Sequence, residues 1–373
     1  MAVPTRLLFV VTEDWYFCSH RLTLGGAARE AGYDVAVATR VRDHGDLITA
    51  RGLRVLPFAM TRRGANPLTE LATLVRLVRL YRRERPDIVH HVALKPVVYG
   101  SLAARLAGVP VVVNAVAGTG WLFNATGGAR RLLRPVLRRV LGAVLAGTQV
   151  IVQNPDDAEV MAGIDLQHVH LIRGAGVDTR EFAPRDEAPG PIVVLLASRL
   201  LWTKGVGDFA VAARLLRERG VPVRCVLVGT PDPDNPDFVP EGAIRAWEAE
   251  GSLEWWGHRG NMADVFAAAH IVCLPSYYGE GVPKALIEAA ACGRPIVTTD
   301  MPGCREIVRD RENGLLVPPR DPARLADALQ ELAGDADLRR RLGAEGRRRV
   351  ESEFSEQQVI AATLAVYRRA PAP

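Results

Sequence analysis

Two glutamates, Glu280 and Glu288, lie on either side of a short loop whose composition suits a bound anion. The loop follows an apolar run at 269–275, which predicts a buried strand, and a glycine and a proline then lead into an alanine-rich helix at 285–292. Free N–H groups and the dipole at a helix start favour a phosphate. Carboxylates do not bind phosphate, so we expect the glutamates to hold hydroxyl groups. A ligand with hydroxyls on both sides of a phosphate is a nucleotide sugar.

A second loop, at 198–205, carries the cations Arg199 and Lys204. It follows the apolar run 192–197, and in a parallel sheet it would leave the same edge as the glutamate loop. Arginine can clamp a diphosphate through two parallel hydrogen bonds, whereas lysine acts as a point charge. The pair predicts a diphosphate site, although two cations in a strand-to-helix loop also fit an ordinary solvated surface.

Short β-branched runs alternate with helical periods in two series, at about 7–172 and 192–317. This alternation predicts an α/β fold with two parallel sheets covered by helices on both faces. A proline-rich, charged stretch at 182–191 separates the series and reads as a linker. We therefore predict an N-terminal domain at 1–183, a C-terminal domain at 184–353 and a last helix, at about 354–371, that can pack back on the first domain. Ligands of such folds bind at the carboxyl ends of the strands, so a cleft between the sheets is expected.

The composition is that of a globular protein rather than a membrane-spanning one. The chain has 373 residues, 48% of them hydrophobic and 24% charged, and it has no uninterrupted apolar run of transmembrane length. The first apolar segment resembles a signal peptide, but it is short and ends at Glu13 and Asp14, where a cleavage site would need small residues. The cysteines at 18, 225, 273, 292 and 304 have no metal-like spacing, which favours reduced thiols in a cytosolic protein.

Arginines are concentrated in two amphipathic segments, although the net charge is only +5. The first segment carries Arg76, Arg79, Arg82, Arg83 and Arg85, and the second carries Arg130, Arg131, Arg134, Arg138 and Arg139. Helices of this type can rest on anionic membranes, and they can equally be solvated helix faces. We expect no nucleic-acid partner.

The segment Asp232-Pro233-Asp234 has the form of a carboxylate metal motif, but it lies in a proline-rich stretch and reads more simply as a solvated turn. No other carboxylate or histidine group has ligand spacing. We therefore expect no metal and no other cofactor, with protein cations in the place of Mg²⁺.

With both loops in view, the chain resembles the family-4 retaining glycosyltransferases, which have the GT-B fold of two Rossmann-like parallel-sheet domains facing a central cleft. The resemblance implies that Arg199 and Lys204 meet the donor diphosphate, that Glu280 meets the hydroxyls of the transferred sugar, and that Glu288 meets the ribose. It also implies that the backbone of Gly281, Val282 and Lys284 contacts the diphosphate. Gly229, His258 and Arg259 are implied to form a nucleoside pocket.

Motifs at 19–21, 90–96 and 118–123 are similar to a subgroup that extends sugars carried on a polyprenyl diphosphate, including N-acetylgalactosaminyltransferases of bacterial glycan assembly. The subgroup implies a lipid-linked saccharide acceptor and work at the cytoplasmic face of the cell membrane, with contact through the arginine-rich helices. The implied acceptor-side candidates are His20, Arg21, His90, His91, Lys95, Gly118 and Thr119.

The chain departs from the family pattern at two places. The first loop, at 13–18, lacks the Gly-Gly pair of many members, and Asn114 stands in the region where many have a histidine near the reacting sugar. His90 or His91 could face the cleft instead, whereas a histidine at a strand end is more often structural.

The resemblance implies transfer of a hexose or an N-acetylhexosamine from a UDP-sugar. The family resemblance implies retention of anomeric configuration through front-face attack, with the departing phosphate oxygen as base, and it favours UDP over GDP. A UDP-sugar epimerase of the same architecture is an alternative that would need acid and base carboxylates, for which Glu13 and Asp14 are the candidates. A non-catalytic partner in glycan assembly is the other alternative.

Overall fold

The computed structural model describes residues 4–60, 66–116, 118, 128–164 and 166–369. The chain forms two compact units, one of Met1–Ala175 with Gln357–Pro373 and one of Gly176–Glu356. The sequence-based boundary at 183/184 falls inside the second unit, because Val177 and Phe182 are buried in the core of that unit.

The described strands of the first unit form a seven-stranded parallel sheet in the order β3-β2-β1-β4-β5-β6-β7. The strands are β1 (Arg6–Glu13), β2 (Asp34–Arg40), β3 (Arg54–Pro57), β4 (Ile88–Val92), β5 (Val111–Val116), β6 (Gln149–Val152) and β7 (Val169–Leu171). The helices before residue 175 are α1 (Asp14–His20), α2 (Leu22–Glu30), α3 (Gly45–Ala50), α4 (Pro67–Glu84), α5 (Leu94–Ala107), α6 (Gly128–Leu145) and α7 (Pro155–Ala162).

The second unit contains a six-stranded parallel sheet in the order β10-β9-β8-β11-β12-β13. Its strands are β8 (Ile192–Ala197), β9 (Val223–Val228), β10 (Glu254–Gly257), β11 (Ile271–Leu274), β12 (Ile296–Thr299) and β13 (Gly314–Val317). Its helices are α8 (Val206–Glu218), α9 (Glu241–Ala249), α10 (Met262–Ala267), α11 (Lys284–Ala291), α12 (Pro302–Ile307), α13 (Pro322–Gly334) and α14 (Ala336–Glu353), and α15 (Glu356–Arg369) follows. The two parallel sheets confirm the predicted α/β class.

The core of the first unit follows from the alternation of side chains along β1. Leu7 and Phe9 face one side of the sheet, where they join a buried cluster that includes Tyr367 of α15. Leu8 faces the other side, where it joins a cluster that includes Leu77 of α4. A strand with both faces covered is apolar throughout, which is why it resembled a signal peptide in sequence.

Two features bear on the predictions made from composition. None of the helices in the described part of the chain is both long enough and apolar enough to cross a membrane.

Four of the five cysteines are buried and Cys18 is half-buried, and all five are free thiols. Burial raises the pKa of Cys292 and of Cys304 to about 11, so these thiols stay protonated at neutral pH.

Loops at the carboxyl edge of the second sheet approach each other backbone to backbone. Gly205 has φ +75°, and a Cβ there would lie 2.1 Å from the carbonyl oxygen of Pro275. Gly229 has φ +135°, and a Cβ there would lie 1.9 Å from the carbonyl oxygen of Ser198. Only glycine adopts a positive φ freely and leaves room for the neighbouring carbonyl oxygen, so the loops after β8, β9 and β11 are held in direct contact.

Helix α14 packs against the end of α11 through another glycine, and this contact gives a first prediction. A Cβ at Gly343 would lie 2.0 Å from the carbonyl oxygen of Gly293, which is backbone and cannot yield as a side chain would. We expect Gly343→Ala to lower the free energy of unfolding by about 1–3 kcal/mol, measured by chemical denaturation.

The matched control is Gly334→Ala, because a Cβ at Gly334 meets nothing within 4 Å. That change should be neutral or should stabilise the protein by up to about 1 kcal/mol through the higher helix propensity of alanine. Equal effects of the two changes would contradict the packing assignment.

Candidate active site

Lys204 and Glu280 meet at the carboxyl edge of the second sheet. Lys204 ends a 3₁₀ turn (Trp202–Lys204) that follows β8, and Glu280 lies in the loop between β11 and α11. The lysine Nζ directly contacts the glutamate Oε2, and the two side chains are only 15% and 20% exposed. The structure therefore brings together two residues that the sequence predicted to share one ligand.

Hydrogen bonds also join the loops that carry these two residues. The backbone N–H of Tyr277 donates to the carbonyl oxygen of Thr203 over 3.1 Å. The Ser276 hydroxyl lies 3.2 Å from the same carbonyl and 2.9 Å from Glu280 Oε1. Glu280 is thus held by a serine on its own loop as well as by the lysine of the neighbouring loop.

Glu288 lies one turn into α11, where its carboxylate is paired with Lys284 of the same helix. Lys284 Nζ contacts Glu288 Oε1, and only 8% of the glutamate side chain is exposed. Burial raises the pKa of Glu288, and the ammonium group of Lys284 opposes that shift. The predicted diphosphate loop, with Gly281 and Val282 both buried, lies immediately before this helix.

Arg199 lies next to an acidic residue that the sequence did not identify as its partner. Its Nη1 lies 3.2 Å from Oδ2 of Asp232, whose side chain is mostly buried. Asp232 is therefore not the freely solvated turn residue that was predicted, because the backbone of Leu200 pairs with Thr230 and Pro231 and carries Asp232 to the arginine.

The predicted nucleoside-pocket residues lie on neighbouring loops of the same sheet. Gly229 follows β9; its N–H donates to the carbonyl oxygen of Gly257, and its carbonyl accepts from the indole of Trp255 at 2.9 Å. His258 and Arg259 follow β10 and are exposed. The edge that carries Lys204 thus also carries these residues.

In the first unit, His91 lies in a buried hydrogen-bond network. Its Nδ1 is 2.8 Å from Oδ1 of Asn114, and its Nε2 is 2.9 Å from the hydroxyl of Tyr81. The network continues from the amide of Asn114 to the hydroxyl of Thr148. A Cβ at Gly100 would lie 2.4 Å from His91 Nε2, so that glycine makes room for the ring. The side chains of His91 and Asn114 are therefore both buried in the first unit and hydrogen-bonded to each other.

His90 is also buried, and it faces the opposite side of the sheet. Its Nδ1 lies 2.6 Å from the hydroxyl of Tyr367 in α15, and its ring stacks on Phe9. Burial, helped by the nearby charge of Arg21, lowers the pKa of His90. The ring therefore joins α15 to the sheet.

The other acceptor-side candidates lie at or between the ends of helices that follow strands of the first sheet. Arg21 is buried between α1 and α2, and the ring of His20 stacks on Tyr16 at 4.2 Å. Lys95, at the start of α5, forms an ion pair of 2.6 Å with Glu70 of α4. The sequence did not identify Glu70, because the two residues lie on different helices.

Gly118 follows β5, and its N–H donates to Oδ2 of Asp157 over 3.2 Å. Asp157 is itself fixed by Asn154, the N-cap residue of α7. Thr119 and the rest of that motif, at 120–123, lie outside the described residues.

Glu13 and Asp14, the candidate carboxylates of an epimerase, are occupied by contacts within the first unit. Glu13 forms ion pairs of 3.5 Å with Arg40 and Arg42. Asp14 Oδ2 accepts hydrogen bonds from the backbone N–H groups of Arg42 and His44. Both carboxylates thus fasten the loop after β2.

Within the residues that the structure describes, no group of three or more His, Cys, Asp or Glu side chains is arranged to hold a metal ion.

Both units match models of known protein families. A model described as Glycosyl transferase 4-like matches residues 6–154, and one described as Glycosyl transferases group 1 matches residues 177–349. Between them the two models span most of the chain.

Two bacterial enzymes are among the relatives that resemble the chain over most of their length. N,N'-diacetylbacillosaminyl-diphospho-undecaprenol alpha-1,3-N-acetylgalactosaminyltransferase of Campylobacter jejuni is 27% identical, over 77% of this chain and 78% of the relative. UDP-Gal:alpha-D-GlcNAc-diphosphoundecaprenol alpha-1,3-galactosyltransferase of Escherichia coli is 26% identical, over 74% of each chain.

Solved structures of glycosyltransferases share the fold. Sucrose-phosphate synthase from Thermosynechococcus elongatus has a TM-score of 0.79 at 22% identity and covers 98% of both chains. HepE from Anabaena, solved in complex with UDP and glucose, also has a TM-score of 0.79, at 18% identity, over 98% of this chain and all of the other.

The buried histidine network predicts a pH dependence of stability. Burial lowers the pKa of His91 to about 4, from 6.5 in the unfolded chain, so the folded protein binds fewer protons than the unfolded one. The free energy of unfolding should therefore decrease as the pH falls from about 6.5 towards 4, with a contribution from this residue of about 3 kcal/mol.

Denaturation curves of wild type and His91→Gln at several pH values test this expectation. The variant should be less stable at pH 7 and should show a shallower decrease towards pH 4, whereas the exposed control His168→Gln should follow the wild type. A His91→Gln curve parallel to that of the wild type would contradict the assignment.

Proposed function

We propose a donor and an acceptor for this chain, which is a glycosyltransferase with the GT-B fold whose halves belong to the 4-like and group 1 families. It transfers a hexose or an N-acetylhexosamine from a UDP-sugar to a saccharide carried on a polyprenyl diphosphate. The transfer retains the anomeric configuration. The observation that carries the donor half of this proposal is the contact between Lys204 and Glu280. It joins a cation suited to a diphosphate and a carboxylate suited to sugar hydroxyls at one edge of one sheet.

The charged side chains of the site are paired with each other, and a nucleotide sugar can replace those contacts. The diphosphate takes the ammonium group of Lys204, and a hydroxyl of the transferred sugar donates to the released Glu280. The diphosphate gathers negative charge as the glycosidic bond breaks. Lys204 and Arg199 lie together on the loop after β8, so electrostatic stabilisation of the leaving group is the largest catalytic contribution.

Glu288 is assigned to the ribose of the donor nucleotide. A ribose hydroxyl donates best to an ionised carboxylate, and Lys284 favours that ionised form although burial opposes it. The E. coli relative is named for a UDP-linked donor, which supports UDP as the nucleotide here.

The acceptor is assigned by the relatives and by two helix ends at the carboxyl edge of the first sheet. Both relatives are named for acceptors linked to undecaprenol through a diphosphate. His90 and His91 are buried, so we assign acceptor contacts to His20, at the end of α1, and to Lys95, at the start of α5. The attack is then a front-face one, in which a departing phosphate oxygen takes the proton of the acceptor hydroxyl.

We also propose that the enzyme uses no metal, because the donor charge that Mg²⁺ commonly neutralises is met here by Arg199, Lys204 and the helix start before α11. The epimerase alternative is not favoured, because Glu13 and Asp14 are occupied in holding the loop after β2.

Two helices of the first unit support contact with the inner face of the cell membrane. On α4, Leu68 and Leu71 are 77% and 58% exposed, and Arg79 and Arg83 are exposed further along the same helix. Apolar residues three apart lie on one face of a helix. On α6, Val136 and Val140 are exposed next to Arg138 and Arg139 in the same manner.

Helices α4 and α6 both pack on α5, so they lie on the same side of the first unit. Exposed apolar residues flanked by arginines fit the boundary between the headgroups and the acyl chains of an anionic bilayer. Peripheral binding there would bring the enzyme to an acceptor that cannot leave the membrane.

The donor assignment predicts the effect of removing either charge. Lys204→Met and Glu280→Gln should each lower kcat/KM by about 10²–10³-fold, because both groups contact the donor where charge develops. The assay screens UDP- and GDP-sugars against polyprenyl-diphosphate saccharides from a bacterial membrane extract and identifies the lipid product by mass. EDTA should leave the rate unchanged.

The control is Arg245→Ala, which removes a surface ion pair with Glu241 and Glu248 on α9. It should retain the wild-type rate. Circular dichroism checks that every variant is folded. Near-normal rates for both site variants would contradict the donor assignment, and donor binding without turnover on any acceptor would favour a non-catalytic partner.

The membrane assignment predicts how binding to vesicles depends on α4. Arg79→Ala with Arg83→Ala should weaken sedimentation with phosphatidylglycerol vesicles by tenfold or more, since each arginine near an anionic surface contributes about 1 kcal/mol. Leu68→Ser with Leu71→Ser should also weaken binding, including the part that remains at high salt.

The matched control replaces two exposed arginines of α14, Arg340 and Arg348, with alanine and should bind vesicles like the wild type. If the α14 variant lost as much binding as the α4 variant, the attraction would be a property of the overall charge and not of α4.

A further inference from the structure

We propose that Asp237 is a positioning residue of the donor site, which acts through Thr203 to hold Lys204 and Glu280 in place. The inference rests on the proposed donor role of those two residues. We assign no direct contact with the substrate to Asp237 or to Thr203, so their effect on the reaction is indirect.

Asp237 fixes the 3₁₀ turn that ends in Lys204. Its Oδ2 accepts a hydrogen bond of 2.8 Å from the backbone N–H of Thr203, and the Thr203 hydroxyl donates to the same oxygen. A carboxylate that accepts two hydrogen bonds holds its donors more strongly than a neutral acceptor would. Both bonds end on the residue immediately before Lys204.

The other side of Thr203 holds the loop of Glu280. Its carbonyl oxygen accepts from the N–H of Tyr277 and lies within hydrogen-bond distance of the Ser276 hydroxyl. That hydroxyl is also 2.9 Å from Glu280 Oε1, and Glu280 in turn contacts Lys204. The contacts therefore close a ring from Thr203 through Ser276 and Glu280 to Lys204 and back along the chain.

Asp237 is the one member of this arrangement outside the ring, and it anchors the ring to a third loop. That loop follows β9, the neighbour of β8 on the side away from β11. A shift of the Thr203 peptide would move the ammonium group of Lys204 and the serine that holds Glu280 together. Misplacement of catalytic groups by about 1 Å can cost about 100-fold in rate.

The fold of this region does not depend on the Asp237 side chain alone. The N–H of Trp202 donates to the carbonyl oxygen of Asp237, and the N–H of Val239 donates to the carbonyl oxygen of Leu200. These main-chain bonds remain when the carboxylate is removed, so a variant at Asp237 changes the support of Thr203 while the two segments stay paired.

The experiment compares Asp237→Ala, Asp237→Asn, Thr203→Val and Thr203→Ser in the lipid-product assay. We expect Asp237→Ala to lower kcat by about 10–100-fold with a change in donor KM of less than about threefold, because the misplaced charges matter most in the transition state. Asp237→Asn should recover part of this loss. Thr203→Val should lower kcat less than Asp237→Ala, and Thr203→Ser should restore the wild-type rate.

Two further variants make the result specific. The double variant Asp237→Ala with Thr203→Val should be no slower than Asp237→Ala alone, since Asp237→Ala already removes the hydrogen bond of the Thr203 hydroxyl. Asp310→Ala removes a similar bond, from the N–H of Leu316 to Asp310 Oδ1 before β13, and should leave kcat unchanged.

The inference is overturned if Asp237→Ala behaves like Asp310→Ala, if it raises KM at constant kcat, or if its effect adds to that of Thr203→Val. Should Asp237→Ala not fold, equal rates for Thr203→Val and Thr203→Ser would overturn it instead. Lys204→Met in the same assay distinguishes a failure of the proposed donor site from a failure of the positioning role. If it is as active as the wild type, the proposed donor site itself is wrong; if it is inactive while the Asp237 and Thr203 variants are normal, only the positioning role is wrong.

Discussion

The second unit has to keep two lysines and two glutamates at one edge of a sheet in a partly water-excluded setting. A charge removed from water without a partner is costly, so each lysine is paired with a glutamate: Lys204 with Glu280 across two loops, and Lys284 with Glu288 along one helix. A diphosphate ester with hydroxyls on either side can replace both sets of contacts at once. The charges that pair with each other at this edge are thus the ones that a nucleotide sugar would use, and the proposed function rests on this equivalence.

The pairing is useful for catalysis only if the loops cannot relax, and close backbone packing prevents that. A Cβ at Gly205 or Gly229 would overlap a carbonyl oxygen of a neighbouring loop, and a Cβ at Gly303 would lie 2.0 Å from the carbonyl oxygen of Gly281. The loop of Glu280 is therefore confined by the turn of Lys204 on one side and by α12 on the other. Confinement of this kind makes the site electrostatically preorganised, because its dipoles do not need to reorient when the leaving group develops charge.

The sequence was sufficient for the parallel sheets and for the pairing of two loops at one edge, because period, strand length and loop composition are local properties. It was insufficient wherever a side chain finds its partner through the tertiary fold. Asp232 reads as a solvated turn residue in sequence, yet a strand-like pairing of the backbone carries it to Arg199. The bond between His90 and Tyr367 joins positions 277 residues apart, and no local pattern indicates it. The proline-rich segment 182–191 likewise resembles a linker in sequence, although its first residue, Phe182, is buried in the core of the second unit.

The buried histidines also bear on how the reaction can proceed. The family resemblance implies an imidazole in the region of Asn114, but His91 and His90 are buried here and hydrogen-bonded to Asn114 and to Tyr367, respectively. Glu13 and Asp14 hold the loop after β2. A mechanism that needed a side chain of this region to remove the acceptor proton would therefore have to break a buried network first. A front-face displacement needs no such group, because the leaving phosphate oxygen becomes basic as the bond to the sugar breaks. In the proposed mechanism the protein has only to hold that oxygen and its charge in place, and the contacts among Thr203, Ser276, Glu280 and Lys204 fix the position of the lysine that we assign to this task.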